Sequence, residues 1–559
     1  MRRAADQYSR WAGLPLYSPF VGNSEHGPNT ADDTFDSMTI PQLIDFAVER
    51  FGDLEGFVEG RPPDAMRLTF AELAEQIDVA ATALVAADLQ PGDRICIWAP
   101  NGLRWLLAAL GAYRAGAIVV PLNTRFKGPE AAYVLRTAGV RMLFTVTDFL
   151  DTNYPALLTG DNAVESLERT VIISGDVPSG CESWDAFISA ADPADLAEVR
   201  RRSAAVQPDD VSDIMFTSGT TGKPKGAMIR HRATVKGFDA WATVVGLRAG
   251  DRYLIVNPFF HTFGLKAGIT ACLVKGATII PQPVFDVPVV MQRIPEERIT
   301  MLPGPPSIYQ TILDHPRRAE FDLSSLRLAV TGAAPVSVEL VRRMREELKF
   351  ETVVTGYGMT ESTGIITMCR HDDPDEIIAH TSGRAIPGVE VRLVDDKGDD
   401  VPVGQPGEIW CRGYNVMAGY FGNPEATAEA INADGWLATG DIAVQDAQGN
   451  VDITDRKKDM FIMGGFNAYP AEIENTLSNY PGVSQVAVIG VPDHRMGEVG
   501  KAFIIPRPGA TIVPDDVIAW SRENMANYKV PRYVEVVDSL PMNASGKILK
   551  VELRARESS

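Results

Sequence analysis

Between Thr217 and Gly226 the chain reads Thr-Ser-Gly-Thr-Thr-Gly-Lys-Pro-Lys-Gly, so that Thr217, Ser218, Gly219, Thr220, Thr221, Gly222 and Lys223 put hydroxyls, amides and an ammonium group into one short run. This chemistry suits a polyphosphate. Glycine lets the backbone approach an anion, N–H and O–H donors bond its oxygens, and lysine offsets its charge. A Walker loop is excluded, because it needs four residues between its glycines and Ser or Thr after the lysine. Here two residues separate Gly219 from Gly222, and Pro224 follows Lys223. Upstream, 211–216 can form a strand; downstream, Gly226-Ala227-Met228-Ile229 is apolar and has no helix-start signal, so the loop is expected between strands. An ordinary Gly/Ser/Thr turn would explain a few of these residues but not the whole run with both Lys223 and Lys225.

Other segments carry functional groups in suggestive settings. Gly356-Tyr357-Gly358-Met359-Thr360-Glu361 starts like a dinucleotide fingerprint, but Glu361 stands where the third glycine belongs, and the Rossmann reading fails. A carboxylate there suits Mg2+, which prefers hard oxygen ligands alongside phosphate and water. Gly332, Ala333 and Ala334 follow an expected strand and are small enough for a flat base to approach the backbone; alone they also fit a plain βα turn. Asp441, in Thr439-Gly440-Asp441, is an acceptor-only group able to take two hydroxyls. His261 lies in Asn257-Pro258-Phe259-Phe260-His261, where a satisfied core histidine is the competing reading. Gly464 and Gly465 would let a thin chain pass close to backbone, and Pro470 suits the first turn of a helix; a loop-to-helix junction without a ligand fits equally. Lys547, in Asn543-Ala544-Ser545-Gly546-Lys547, would by itself pass for a surface lysine.

The elements that must position these groups alternate. Helical spacing over 69–77 is followed by compact apolar runs at 94–98 and 117–121, and further strands are expected at 326–330 and 352–354, which predicts α/β layers. From Glu390 the texture changes to short β-like pieces at 391–394, 407–410 and 449–453. A hinge is placed at Asp455-Arg456-Lys457-Lys458-Asp459. This divides the chain into a large N-terminal part over 1–455 and a C-terminal part over 456–559 with its own βα alternation, enough residues for a small domain. The first thirty or so residues are rich in Pro, Gly, Asn and Ser and are expected to be an extended lead-in.

Composition bounds the partners. At 559 residues two or more domains are expected. A formal charge of -20 argues against nucleic acid or an anionic membrane as the main partner. The five cysteines include no CxxC pair, which disfavours a zinc cluster or a disulfide framework and points to reducing cytosol. No apolar segment follows Arg2-Arg3 as a signal peptide would require, and runs such as 105–112 are too short to span a membrane.

Taken in order, the motifs resemble the adenylate-forming superfamily: acyl-CoA synthetases, firefly-type luciferases and the adenylation domains of peptide synthetases. The resemblance implies that the loop at 217–226 clamps ATP, that Gly332, Ala333 and Ala334 receive adenine, and that Tyr357 stacks on it beside Gly358. It further implies that Thr360 and Glu361 serve phosphates and Mg2+, that Asp441 grips the ribose with Ile453 and Arg456 as further nucleotide contacts, and that Lys547 carries adenylation. His261 would lie near the acyl and thiol channels, Gly464 and Gly465 beside the pantetheine of coenzyme A, and Lys458 at the hinge between an adenylation and acyl-binding domain over 1–455 and a mobile α+β domain over 456–559. The expected reaction is acyl-AMP formation from a small-molecule carboxylic acid and ATP, then transfer to CoA. Stretches 257–269 and 302–310 resemble ligases for propanoate side chains on steroid-derived rings, implying first a bulky alicyclic or terpenoid acid, with medium-chain or aryl acids behind it; core strands and turns of the common fold are the competing reading. An enzyme of one half-reaction, a loading module for a separate carrier protein and a luciferase-like oxygenase remain as alternatives, and a homodimer is open to it. Ala438, Arg230 and Ile462 depart from the family pattern at positions often filled by His, Thr and Lys.

Overall fold

The computed structural model describes residues 33–217, 224–332, 336–456, 459–463, 466–494, 496–525, 527–542 and 548–557. Helix Ile40–Phe51 begins close to where the apolar pattern does and is started by Thr39, whose hydroxyl accepts from Gln42 N while the Gln42 side chain accepts from Thr39 N. Thr69 and Glu72 form the same reciprocal cap for helix Phe70–Ala86. Each cap satisfies amides that a helix start leaves unpaired.

Helices and strands then alternate as expected. Arg94–Trp98, Ile118–Pro121, Met142–Val146 and Val211–Thr217 lie in an eight-stranded sheet and pair in parallel as Met142–Val146, Arg94–Trp98, Ile118–Pro121, Val211–Thr217. Strand Lys225–Arg230 returns antiparallel to Val211–Thr217, and Gly419–Tyr420 pairs on its far side. The loop at 218–223 is therefore flanked by strands, although those six residues fall outside the described set. Helix Leu103–Arg114, with Trp105, Leu106 and Tyr113 all buried, is a core helix. Among the described residues no helix is long and apolar enough to cross a membrane.

A second layer is built from Leu328–Thr331 parallel to Thr352–Tyr357, continued antiparallel by Thr367–Met368 and Arg384–Ala385. The change of texture after Glu390 marks an antiparallel sheet of Val389–Val394, Pro406–Gly413, Leu437–Gln445 and Val451–Arg456. The last of these strands runs through Asp455 and Arg456, the first two residues of the expected hinge, whereas Lys457 and Lys458 are outside the described residues. Phe461–Met463 belongs to another sheet, with Phe466–Ala468, Gly497–Pro506, Val483–Asp493 and Tyr533–Val536. That sheet has its own core, in which Phe461, Ile473, Leu477, Val488, Phe503 and Leu553 are buried together. The fold is thus α/β with a large N-terminal part and a small α+β C-terminal part. All five cysteines are free thiols, four of them buried.

Candidate active site

Strand Val211–Thr217 ends in Thr217, whose hydroxyl lies 3.4 Å from Glu361 Oε1. Glu361 is 6 % exposed and accepts a 2.8 Å hydrogen bond from the Tyr420 hydroxyl. The two groups come from strands on either side of Lys225–Arg230, so sheet order alone brings them together. Lys225 Nζ stands 5.0 Å over the Tyr420 ring. Among the described residues no Lys or Arg pairs with Glu361; the carboxylate is held by hydroxyls. A buried carboxylate without a cation is costly, and one ringed by hard oxygens fits Mg2+ when phosphate and water complete its shell.

The backbone around Glu361 is tightly specified. A Cβ at Gly358 would lie 2.5 Å from the Gly364 carbonyl, so the chain can cross itself here only through glycine. Thr363 adopts φ +61, a left-handed conformation costly for a β-branched residue. Its hydroxyl bonds the Asn415 carbonyl at 2.6 Å, and buried Asn415 donates to Ile365 O at 2.8 Å. Met417 N donates to Glu361 O.

The second group of expected contacts also converges. Tyr357 donates a 2.5 Å hydrogen bond to Asp441 Oδ2, and burial, reinforced by the adjacent Asp441 charge, raises the phenol well above its ordinary pKa. Thr439 bonds Asp441 N, while Gly440 N donates to Glu408 Oε1. Asp441 lies opposite Arg456 across the antiparallel pair, and Ile453 packs with Tyr357 on the small core of Leu393, Ile409, Ala443 and Val451. Tyr357, Asp441, Ile453 and Arg456 thus share one neighbourhood although they span about a hundred positions. Thr360 opens the short 3-10 turn that carries Glu361. Gly332 ends the strand Leu328–Thr331 at the point where the Gly356 carbonyl is closest, 2.9 Å from where a Cβ would sit.

His261 accepts from Phe263 N through Nδ1. Its side chain keeps solvent-accessible surface, while desolvation by the protein packed around it lowers its pKa below the usual imidazole value. The next residue, Thr262, meets Gly364: a Cβ there would be 2.9 Å from Thr262 Cβ. The His261 loop therefore abuts the Glu361 segment. The loop itself is pinned by Asn101, which donates to Asn257 O at 2.9 Å and accepts from Phe259 N at 2.7 Å.

Ser218, Gly219, Thr220, Thr221, Gly222, Lys223, Ala333, Ala334, Lys458, Gly464, Gly465 and Lys547 lie outside the described residues. Their flanks are described. Met542 and Ile548, on either side of the Lys547 segment, pair antiparallel, and Pro470 opens helix Pro470–Ser478 just after the two glycines. Sequence reasoning missed Tyr420, Asn415, Thr363 and Asn101. Nothing local in Gly419-Tyr420-Phe421 marks Tyr420 as a partner of Glu361; only sheet pairing does. The departures are modest in their contacts: Arg230 reaches Val416 O at 3.5 Å, and Ala438 sits opposite Trp410.

The AMP-binding enzyme family matches residues 45–421 and the AMP-binding enzyme C-terminal domain matches residues 472–547. The chain belongs to this family of adenylate-forming enzymes. It is 49% identical over 520 residues, covering 92% of this chain and 98% of the relative, to a 3-[(3aS,4S,7aS)-7a-methyl-1,5-dioxo-octahydro-1H-inden-4-yl]propanoyl:CoA ligase of Rhodococcus jostii. A feruloyl-CoA synthase of Amycolatopsis is 41% identical over 88% of this chain and 94% of its own. Among solved structures, the anthranilate CoA ligase AuaEII in complex with anthranoyl-AMP superposes with a TM-score of 0.83 at 28% identity, covering 93% of this chain and 98% of that one. ATP-bound MatB from Rhodopseudomonas palustris superposes with a TM-score of 0.78 at 29% identity, covering 93% and 99%. With CoA ligases matched along nearly its whole length, the protein is an ATP-dependent acyl-CoA ligase that uses Mg2+ and joins a carboxylic acid to CoA through an acyl adenylate.

Proposed function

We propose that the acid is a propanoate borne on a bulky, rigid alicyclic ring system. The observation that carries this reading is the 49% identity, over 98% of its length, to the Rhodococcus ligase whose name specifies a fused bicyclic propanoate, against 41% for the feruloyl-CoA synthase. A ring system buries apolar area at roughly 25 cal/mol per Å² while losing little conformational freedom, whereas a flexible chain must be ordered. Comparing kcat/KM for the bicyclic diketopropanoate, octanoate and benzoate tests it; a clear preference for octanoate overturns it.

Within that reaction the carboxylate oxygen attacks the α-phosphorus and pyrophosphate leaves; the CoA sulfur then attacks the acyl carbonyl and AMP leaves. Glu361, held by Tyr420 and Thr217, would bind the Mg2+ that offsets phosphate charge, and Asp441 would exchange its Tyr357 bond for ribose hydroxyls. Lys547 would stabilise charge at the α-phosphate, and a small domain turning about Lys458 would bring it in before Gly464 and Gly465 admit the thiol. A cytosolic enzyme, as monomer or homodimer, fits this chemistry. Lys458→Pro, which fixes φ, is expected to leave one half-reaction running and stop the other.

A further inference from the structure

The helical segment after His261 is not an α-helix: Phe263–Thr270 is π-helical over eight residues. Such i→i+5 stretches are rare and concentrate at functional sites. Gly264 permits this one, since a Cβ there would lie 2.1 Å from Pro258 O. In an otherwise apolar stretch, Phe-Gly-Leu-Lys-Ala-Gly-Ile, the segment presents Lys266 to the interior with no exposed side-chain surface. Lys266 Nζ lies 2.6 Å from Asp213 Oδ2 and 2.7 Å from Thr234 Oγ1. Asp213, equally buried, also accepts from the hydroxyls of Ser212 at 2.6 Å and Tyr113. The cluster joins four elements: strand Val211–Thr217, helix His231–Val245, helix Leu103–Arg114 and the π-helix.

A buried ion pair is poor evidence of stability, because apolar residues of similar size often serve a core as well or better. Its specific product is register. Asp213 and Thr217 are four residues apart on one strand, hence on the same face. The pair therefore locks the element that follows His261 and Thr262 to the strand whose end touches Glu361 and begins the phosphate loop. We propose that Lys266 and Asp213 are positioning residues for adenylation: they hold the acid-binding wall and the triphosphate-binding strand at a fixed offset, so that carboxylate and α-phosphorus meet in line. Adenylation needs that offset, because its two reactants, the acid and ATP, are separate molecules held one by each of these elements. Thioester formation depends on it less, since the acyl group and AMP are by then covalently joined and the second reactant, CoA, is held elsewhere.

This inference rests on the acyl-CoA ligase reaction and on His261 facing the acid, not on which acid is used. The test measures both half-reactions in Lys266→Met and in Asp213→Asn/Lys266→Met, with the bicyclic diketopropanoate and octanoate as separate acids and their acyl-AMPs supplied for the second step. Misplacement of about an ångström costs on the order of 100-fold in a reaction between two bound groups. The ratio of adenylation to thioester formation is expected to fall about 10- to 100-fold in both variants. Because a ratio cancels the fraction of enzyme that is folded, simple destabilisation leaves it unchanged, and an unchanged ratio overturns the proposal. Failure of the bicyclic acid in the wild type, with octanoate active, counts against the proposed acid alone.

Discussion

Two buried carboxylates bear on the same strand and are treated in opposite ways. At its middle, Asp213 faces the Lys266 ammonium and three hydroxyl-bearing neighbours, Tyr113, Ser212 and Thr234, complete the cluster. At its end, Glu361 meets the hydroxyls of Thr217 and Tyr420 and, among the described residues, no Lys or Arg. In the first region charge is neutralised by the protein itself, which suits a part of the core that must stay in register. In the second no described Lys or Arg neutralises it, which is what the proposed Mg2+ and phosphate site calls for. Burial is similar in both; the difference lies in where the counter-charge comes from.

Removing one charge from each region should therefore give opposite results. Asp213→Asn strands the Lys266 ammonium in the core, and a loss of about 3–5 kcal/mol is expected in denaturant unfolding. Glu361→Gln strands nothing, so its unfolding midpoint should match or exceed the wild type while adenylation falls on the order of 10²–10³-fold. Lys547→Ala should lose adenylation by a similar factor while still forming thioester from supplied acyl-AMP; equal loss of both steps would assign that lysine another role. If Asp213→Asn proves harmless to stability, the contrast between the regions collapses.

A titration sharpens the comparison. His231 borders the first region, its ring 5.9 Å from that of Tyr113, and its Nδ1 accepts from Ile40 N. Burial depresses its pKa to about 4; the Asp213 and Asp210 charges pull it up and Lys266 pushes it down. For a base, a lowered folded pKa means that the unfolded chain binds the proton more readily, so stability is lost as pH falls from about 6.5 towards 4. The share due to His231 should reach about 2 kcal/mol by pH 5. His231→Asn, which keeps an acceptor for Ile40, should flatten the pH dependence of unfolding over that range. An unchanged slope would mean that other groups carry it. The smallest effect is expected from Tyr420→Phe, which keeps Glu361 but removes the hydroxyl that orients it: the Mg2+ concentration for half-maximal adenylation should rise about tenfold.

Much of this was legible along the chain. Reactive groups that act within a few residues of one another, as in Thr217 to Lys223, Tyr357 to Glu361 and Thr439 to Asp441, announce themselves through residue type and spacing. Strand periods at 94–98 and 211–216 are local in the same sense. Lys266 left a local trace, a lone charge in an apolar run, but its partner left none, because Asp213 looks like any polar residue within a strand.

By itself, then, the sequence determined the α/β character and the order of the family's motifs, since both follow from short-range pattern and side-chain chemistry. Only the tertiary structure decided that Tyr420 orients Glu361, that Tyr357 caps Asp441 and that Lys266 neutralises Asp213. Those pairs are 59, 84 and 53 residues apart. No local periodicity reaches that far; the order of strands in the sheets and the packing of a π-helix against one of them bring the groups within bonding distance.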